Sequence, residues 1–249
     1  MALFEAIGLH KRFGDRVVLE RIDLAFEAGS LTGIMGPNGA GKTTCFNCLT
    51  GMYAPDRGDI RLEGRAIAGL GATDVTRLGV ARSFQNISLF DDDTALDNVI
   101  VALPAMRKRS FDAWRDRTRD SGAQDQAAAI LLRVGLQGRE LVRARDLAYG
   151  ERRALEIGLA LATAPKILFL DEPTSGLGAS GTVRLTELVA ELKRTLTMVI
   201  IEHDMRFLFR LADFINVIHW GQVIARGTPQ ALRANPWVQR SALGVLEQC

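Results

Sequence analysis

No stretch of this sequence approaches the roughly 20 apolar residues that a membrane-spanning helix needs. The continuous apolar runs, such as Ile167–Leu170 and Met198–Ile201, are strand-sized. A secretion signal is also missing, because Met1-Ala2-Leu3-Phe4-Glu5 has no basic segment leading into an apolar one. The chain is therefore expected in the cytoplasm, where it can still dock on a membrane protein. Net charge is small: 31 Lys and Arg against 29 Asp and Glu leave +2. That balance does not point to nucleic acid or to strong membrane electrostatics. Cysteine is scarce, with Cys45, Cys48 and Cys249 alone. Cys45 and Cys48 form a C-x-x-C, a spacing used by metal and redox sites. No second pair completes a zinc site, and both fall in a predicted helix, so they are read as helix residues, at least partly buried. What remains is ordinary for a globular protein: 249 residues, 47% hydrophobic and 24% charged. That is enough for one large domain or two small ones, with a core that needs no staples.

Periodicity divides the chain into a strand–helix alternation with an interruption. Val17–Phe26 reads as a strand with Val18, Ile22 and Leu24 on one face. Leu31–Met35 is a short apolar strand running into a glycine-rich turn, and Lys42–Thr50 reads as the helix that follows. Asp59–Leu62 and Val80–Phe84 are further strands. Residues from about 95 to 160 are mostly helix-like, with Ala127–Val134 the clearest stretch. Arg107-Lys108-Arg109 and the mixed charges through Asp120 read as a solvated helix or loop, since acidic residues interleave. After residue 160 the alternation resumes, with strands at Ile167–Leu170, Thr197–Ile201, Phe214–Ile218 and Gln222–Arg226. Ser180–Thr195 and Met205–Ala212 are the helices among them. Such an alternation implies an α/β fold with a mainly parallel, covered sheet.

The sharpest local pattern is Gly36-Pro37-Asn38-Gly39-Ala40-Gly41-Lys42-Thr43-Thr44. It fits G-x-x-x-x-G-K-[ST] and stands after a strand and at the start of a helix, where a phosphate loop must stand. Glycines let the backbone approach phosphates closely, and the helix N-terminus offers N–H groups to an anion. Lys42 adds a mobile charge for the β- and γ-phosphates, and the Thr43 hydroxyl can ligate Mg²⁺. A chance match in a glycine-rich turn is the bland alternative. A second pattern ends the strand Ile167–Leu170 with Asp171 and Glu172. Ligands of open α/β sheets bind at such strand ends. Asp171 can hold Mg²⁺, directly or through water, and Glu172 can orient and deprotonate an attacking water. Alone, the two carboxylates could equally be capping residues before Pro173.

With these residues in place, nearly the whole chain resembles the ABC ATPases, and further motifs follow in that family's order. Gln85, in Ser83-Phe84-Gln85-Asn86, matches the glutamine that meets Mg²⁺ and water and senses the membrane partner. Leu147-Ala148-Tyr149-Gly150-Glu151 matches the signature motif, and Ser175-Gly176-Leu177-Gly178 the D-loop. His203, in Ile201-Glu202-His203-Asp204, matches the switch histidine that contacts the γ-phosphate. Phe13 falls where the family stacks an aromatic on adenine, and Val18 is placed beside it among the nucleotide-binding residues.

The resemblance implies one ABC ATPase domain over residues 1–249. Its core would comprise 1–87 and 160–232, with a mainly parallel sheet and an antiparallel β subdomain. An inserted helical subdomain would span about 88–159, and a C-terminal tail 233–249. It further implies ATP and Mg²⁺ as cofactors and a head-to-tail pair with a second ABC ATPase, identical or different. Each signature loop would close on ATP held by the partner's phosphate loop, and the opening and closing of the pair would drive two membrane-spanning permease subunits. An extracytoplasmic substrate-binding protein would act only indirectly, no nucleic acid is expected, and the subunit would sit peripherally on the cytoplasmic face of the membrane.

Two positions depart from the pattern. Ala148 stands where Ser is common, which removes a hydroxyl donor to the γ-phosphate, worth about 1.5–3 kcal/mol. Gly178 stands where the D-loop commonly ends in Asp. The site to which this subunit donates its signature is therefore expected to be the less active one, unless neighbouring residues compensate. The signature, Ala81–Asn86 followed by Leu89-Phe90, Ile201–Met205, and the tail Gly227-Thr228-Pro229 … Asn235-Pro236 … Ala242-Leu243-Gly244 resemble importers of branched-chain and other hydrophobic amino acids. Alanine in the signature is familiar in that branch. A lipopolysaccharide-extracting branch with a similar tail is the runner-up. A soluble repair or translation ATPase would usually carry a coiled-coil insertion or two ATPase domains, and a non-hydrolysing module would not need Glu172 and His203.

Overall fold

A computed structural model describes residues 2–83, 89–104 and 121–235. Among these residues, ten strands lie in one sheet in the order β5-β4-β1-β2-β10-β9-β3-β8-β7-β6. They are β1 (Ala2–Phe13), β2 (Arg16–Glu27), β3 (Leu31–Met35), β4 (Arg57–Leu62), β5 (Arg65–Ala66), β6 (Val80–Arg82), β7 (Ile167–Asp171), β8 (Thr197–Ile201), β9 (Phe214–His219) and β10 (Gln222–Gly227). The described helices are α1 (Lys42–Leu49), α2 (Ala72–Arg77), α3 (Ala95–Ala102), α4 (Ser121–Arg133), α5 (Tyr149–Ala162), α6 (Ala179–Leu192), α7 (Met205–Leu211) and α8 (Pro229–Arg233).

The sheet has two characters. β9, β3, β8, β7 and β6 are all parallel. β3, β7 and β8 are buried at every residue, as expected for parallel strands covered on both faces. Their side chains alternate between two cores. Leu31, Met35, Leu168, Leu170, Met198 and Ile200 pack with the helices α3, α4, α5, α6 and α7. Ile34, Phe169, Val199 and Ile201 face the other way, toward α1 and the antiparallel strands. There Phe169 meets Phe4, Phe26 and Phe46 with ring centroids 5.4, 6.0 and 5.9 Å apart. At the other side β5-β4-β1-β2 is antiparallel, and β10 joins the two parts, parallel to β2 and antiparallel to β9. The fold is thus α/β, with a parallel block and an antiparallel part, as the sequence implies. Among the described residues, the helices of the middle segment share the core of one sheet face.

Several boundaries differ from the periodicity, for local reasons. On β2, Leu19 is fully buried and Val18 only half-buried, so the face assigned from Val18, Ile22 and Leu24 is wrong at its start. The β1–β2 register slips between Lys11↔Leu19 and Leu9↔Ile22, and the bulge turns Leu19 inward. β1 carries the same slip: Phe4, Ala6 and Leu9 are buried, and no strict alternation marks it as a strand. Asp59–Leu62 extends back to Arg57, and the short helices α2 and α8 add to the elements expected. The helix around Ala127–Val134 is described over Ser121–Arg133 and ends one residue before Val134. Gln85, Phe84, the 107–120 charge run, Cys249 and the tail beyond Asn235 lie outside the described residues. Cys45 and Cys48 are buried in α1 as read; burial pushes both thiols up, Cys48 to about 11. Among the described residues, no helix is long and apolar enough to cross a membrane.

Candidate functional site

The glycine-rich loop leaves the C-terminal end of β3, which lies between β9 and β8 in the parallel block, and enters α1. Its path is set by backbone approaches that exclude side chains. A β-carbon on Gly36 would lie 2.0 Å from the Ile218 carbonyl oxygen. Gly41, the residue before α1, has φ 101, and a β-carbon there would meet the Val18 carbonyl at 2.9 Å. The loop is tied to the β9–β10 turn by Gly221, whose N–H donates to the Ala40 carbonyl at 3.0 Å. Lys42 is 7% exposed. Its Nζ donates to the carbonyls of Gly36 at 2.8 Å and Pro37 at 3.0 Å. Burial pulls its pKa down, while the nearby Glu172 and Asp171 carboxylates pull it back. Asn38, Gly39 and Thr43 are exposed. Val18 backs the loop through its carbonyl. Phe13 sits by the β1–β2 turn, 45% exposed, with its ring edge-on to Tyr53 at 5.4 Å.

β7 delivers Asp171 and Glu172 at its own C-terminal end, two strands from β3 across β8. Asp171 is 2% exposed. Burial raises its pKa, with the Glu172 charge adding to the rise and Arg82 and Arg153 opposing it. Glu172 has φ 44, a left-handed conformation that costs a glutamate of order 1–3 kcal/mol and persists only where neighbours over-determine it. They do so here. The Glu172 N–H donates to the Ile201 carbonyl at 2.9 Å, and its carbonyl accepts from the Ser175 N–H at 3.0 Å. The His203 Nδ1 lies 3.8 Å from Glu172 Oε1 and 3.8 Å from Glu202 Oε2, and the imidazole is exposed.

Glu202 is a site residue to which sequence reasoning assigned no role. It is fully buried, and its carboxylate accepts from four donors. Thr174 N–H at 2.8 Å and the Thr174 hydroxyl reach Oε1; His203 N–H at 3.0 Å and Asp204 N–H at 3.2 Å reach Oε2. It thereby fastens the start of the D-loop segment to the loop that carries His203. The available signal was a carboxylate closing an apolar strand, as Asp171 closes Ile167–Leu170.

The signature segment stands apart from these groups, at the N-terminus of α5. Ala148 is the residue before the helix and has no side chain to accept a helix N–H. Half of a capping box remains: Glu151 accepts from the Ala148 N–H at 2.9 Å and pairs with Arg139. Leu147 is buried, Ala148 and Tyr149 are exposed, and Gly150 and Glu151 are half-buried. The Tyr149 hydroxyl donates to the Ser175 carbonyl at 3.3 Å. The structure therefore brings together Lys42, Asp171, Glu172 and His203. It leaves Ala148 and Tyr149 of the signature segment exposed beside the D-loop, and Gln85 is outside the described residues.

A buried strand that feeds a phosphate loop, two carboxylates at the end of the next strand but one and a histidine beside them define a P-loop ATPase. A family model described as ABC transporter matches residues 19–175. The chain belongs to that family, as one of its ATP-binding and ATP-hydrolysing subunits. It is 41% identical over 244 residues to the high-affinity branched-chain amino acid transport ATP-binding protein LivG of Salmonella typhimurium, covering 95% of this chain and 96% of that protein. It is 30% identical over 243 residues to the lipopolysaccharide export system ATP-binding protein LptB of Acidithiobacillus ferridurans, covering 97% of each. Among solved structures, an ATP-binding cassette of an ABC transporter in its ADP conformation superposes with TM-score 0.86 at 27% identity, covering 98% of this chain and 99% of that one.

Proposed function

We propose that this subunit powers an ABC importer of branched-chain or other hydrophobic amino acids, from the cytoplasmic face of the membrane. The observation that supports the chemistry is the convergence of Lys42, Asp171, Glu172 and His203 around the end of β3. The choice of cargo is supported by the full-length similarity to LivG at 41% identity, against 30% to LptB. In this reading the loop Gly36–Thr44 cradles the phosphates, with Val18 behind it and Phe13 against the adenine. Glu172 takes a proton from the attacking water, and His203 contacts the γ-phosphate. Thr43, Asp171 and Gln85 would hold Mg²⁺; a hydroxyl, a buried carboxylate and an amide are hard oxygen donors that suit it. The ion, when bound, neutralises charge on the phosphates. Leu147–Glu151 closes on ATP held by a second ABC ATPase, head to tail, and the pair drives two permease subunits fed by an extracytoplasmic binding protein.

The test is Glu172→Gln. Hydrolysis by the assembled complex should fall by roughly 10²–10⁴-fold, while ATP binding and an ATP-dependent increase in mass are retained. Hydrolysis at the wild-type rate would refute the assignment. Copurification with membrane subunits of a lipid-extraction system would transfer the chain to that branch.

A further inference from the structure

Arg153 lies four residues after Tyr149, so both project from one face of α5. Its guanidinium is 3% exposed and pairs with Glu156, itself 4% exposed, at 2.6 Å. Other donors of the same guanidinium reach main chain at and just after the end of β7. Nη2 donates to the carbonyls of Asp171 at 3.1 Å and Glu172 at 3.0 Å, and Nε to that of Pro173 at 3.4 Å. Tyr149 adds the Ser175 carbonyl. The helix that begins at the signature loop thus holds carbonyls on both sides of the left-handed Glu172.

We propose that Arg153 is a positioning residue for hydrolysis: it fixes the backbone of Glu172 and ties it to the subunit's own signature helix. The inference rests on the head-to-tail pair proposed above. In such a pair the signature loop serves ATP on the partner's phosphate loop, whereas Glu172 serves ATP on its own. Arg153 follows the signature in sequence, yet its contacts assign it to the site of its own chain. A shift of α5 as the signature loop engages one γ-phosphate is transmitted to the base at the other site.

The test uses the full-length chain in its assembled pair, with Arg153→Gln and Glu156→Gln introduced together so that neither charge of this buried pair is left without the other. Vanadate trapping of a photoreactive azido-ATP is read chain by chain, with the two chains distinguished by mass. Labelling of the variant chain should fall by roughly ten- to a hundred-fold, as expected when a reacting group is misplaced. Its partner's labelling, and the affinity of the variant for ATP, should stay within about two-fold of wild type on the same basis. Arg153→Lys should recover part of the loss. Unchanged trapping, loss on the partner chain instead, or parallel loss of ATP affinity and thermal stability would overturn the proposal. Absence of trapping by the wild-type pair would refute the hydrolysing pair itself.

Discussion

The phosphate loop and the signature segment face the same kind of ligand but are built by different means. Around Gly36–Thr44 the conformation is imposed by close backbone approaches: Ile218 crowds Gly36, Val18 crowds Gly41, and Gly221 bonds Ala40. Around Leu147–Glu151 the backbone is open, the helix start lacks a capping side chain, and exposed residues stand forward. One half is specified by what cannot fit, the other by what a few polar groups happen to hold. Tolerance to substitution should therefore differ between them, even for changes of a single methyl group.

The largest contrast is expected between two glycines. Gly36→Ala puts a β-carbon 2.0 Å from a carbonyl oxygen, and titration should find no ATP binding. Gly178→Ala, in the D-loop, meets nothing within 4 Å and should change unfolding stability by no more than about 0.5 kcal/mol. Equal tolerance at the two positions would erase the distinction.

Glu202→Gln should be next in size. Each carboxylate oxygen accepts from backbone N–H groups, so an amide necessarily turns its NH₂ toward a donor. A loss of roughly 1.5–3 kcal/mol in denaturant unfolding is expected, together with slower ATP hydrolysis as the His203 loop loosens.

Asp171→Asn separates stability from activity. Burial raises the carboxyl's pKa in the folded chain, so the folded state holds this proton more tightly than the unfolded chain does. The wild type should therefore be less stable than the variant at pH above the folded value, measured without Mg²⁺. The difference should close as pH falls through that value toward the ordinary carboxylate range. A wild type more stable than the variant at neutral pH would contradict the assignment. Hydrolysis by the variant should be lost throughout.

The smallest effect is expected in the open half. Ala148→Ser supplies the missing cap and should stabilise the chain by about 0.5–2 kcal/mol, read as a higher thermal midpoint. In the assembled pair it should also raise turnover at the site that this signature serves. No gain in either would mean that Glu151 already satisfies the helix start.

Much of this arrangement was legible beforehand because it depends on local order. Short apolar strands before Gly36, Asp171 and Glu202 stand out by composition, and β3 and β8 have the boundaries expected of them. β1 was not legible: its bulges break the alternation that marks a strand. The burial of Leu19 depends on the same slip. The roles of Arg153 and Glu202 were hidden for another reason. A charged residue looks solvated in sequence, and only the tertiary structure shows that most of its partners are main-chain groups, which leave no trace in side-chain identity.

The position of β3 has a consequence for how the protein is made. Its hydrogen-bonded neighbours are β8 and β9, which lie in the last quarter of the chain. A ribosome therefore releases Gly36–Thr44 early but supplies the strands that flank β3 only near the end of synthesis. Pairing over such separations is slow and exposes apolar surface meanwhile. Nucleotide binding is then a property gained late and all at once, and a nascent chain stalled before residue 197 should carry the whole phosphate motif and hold no ATP.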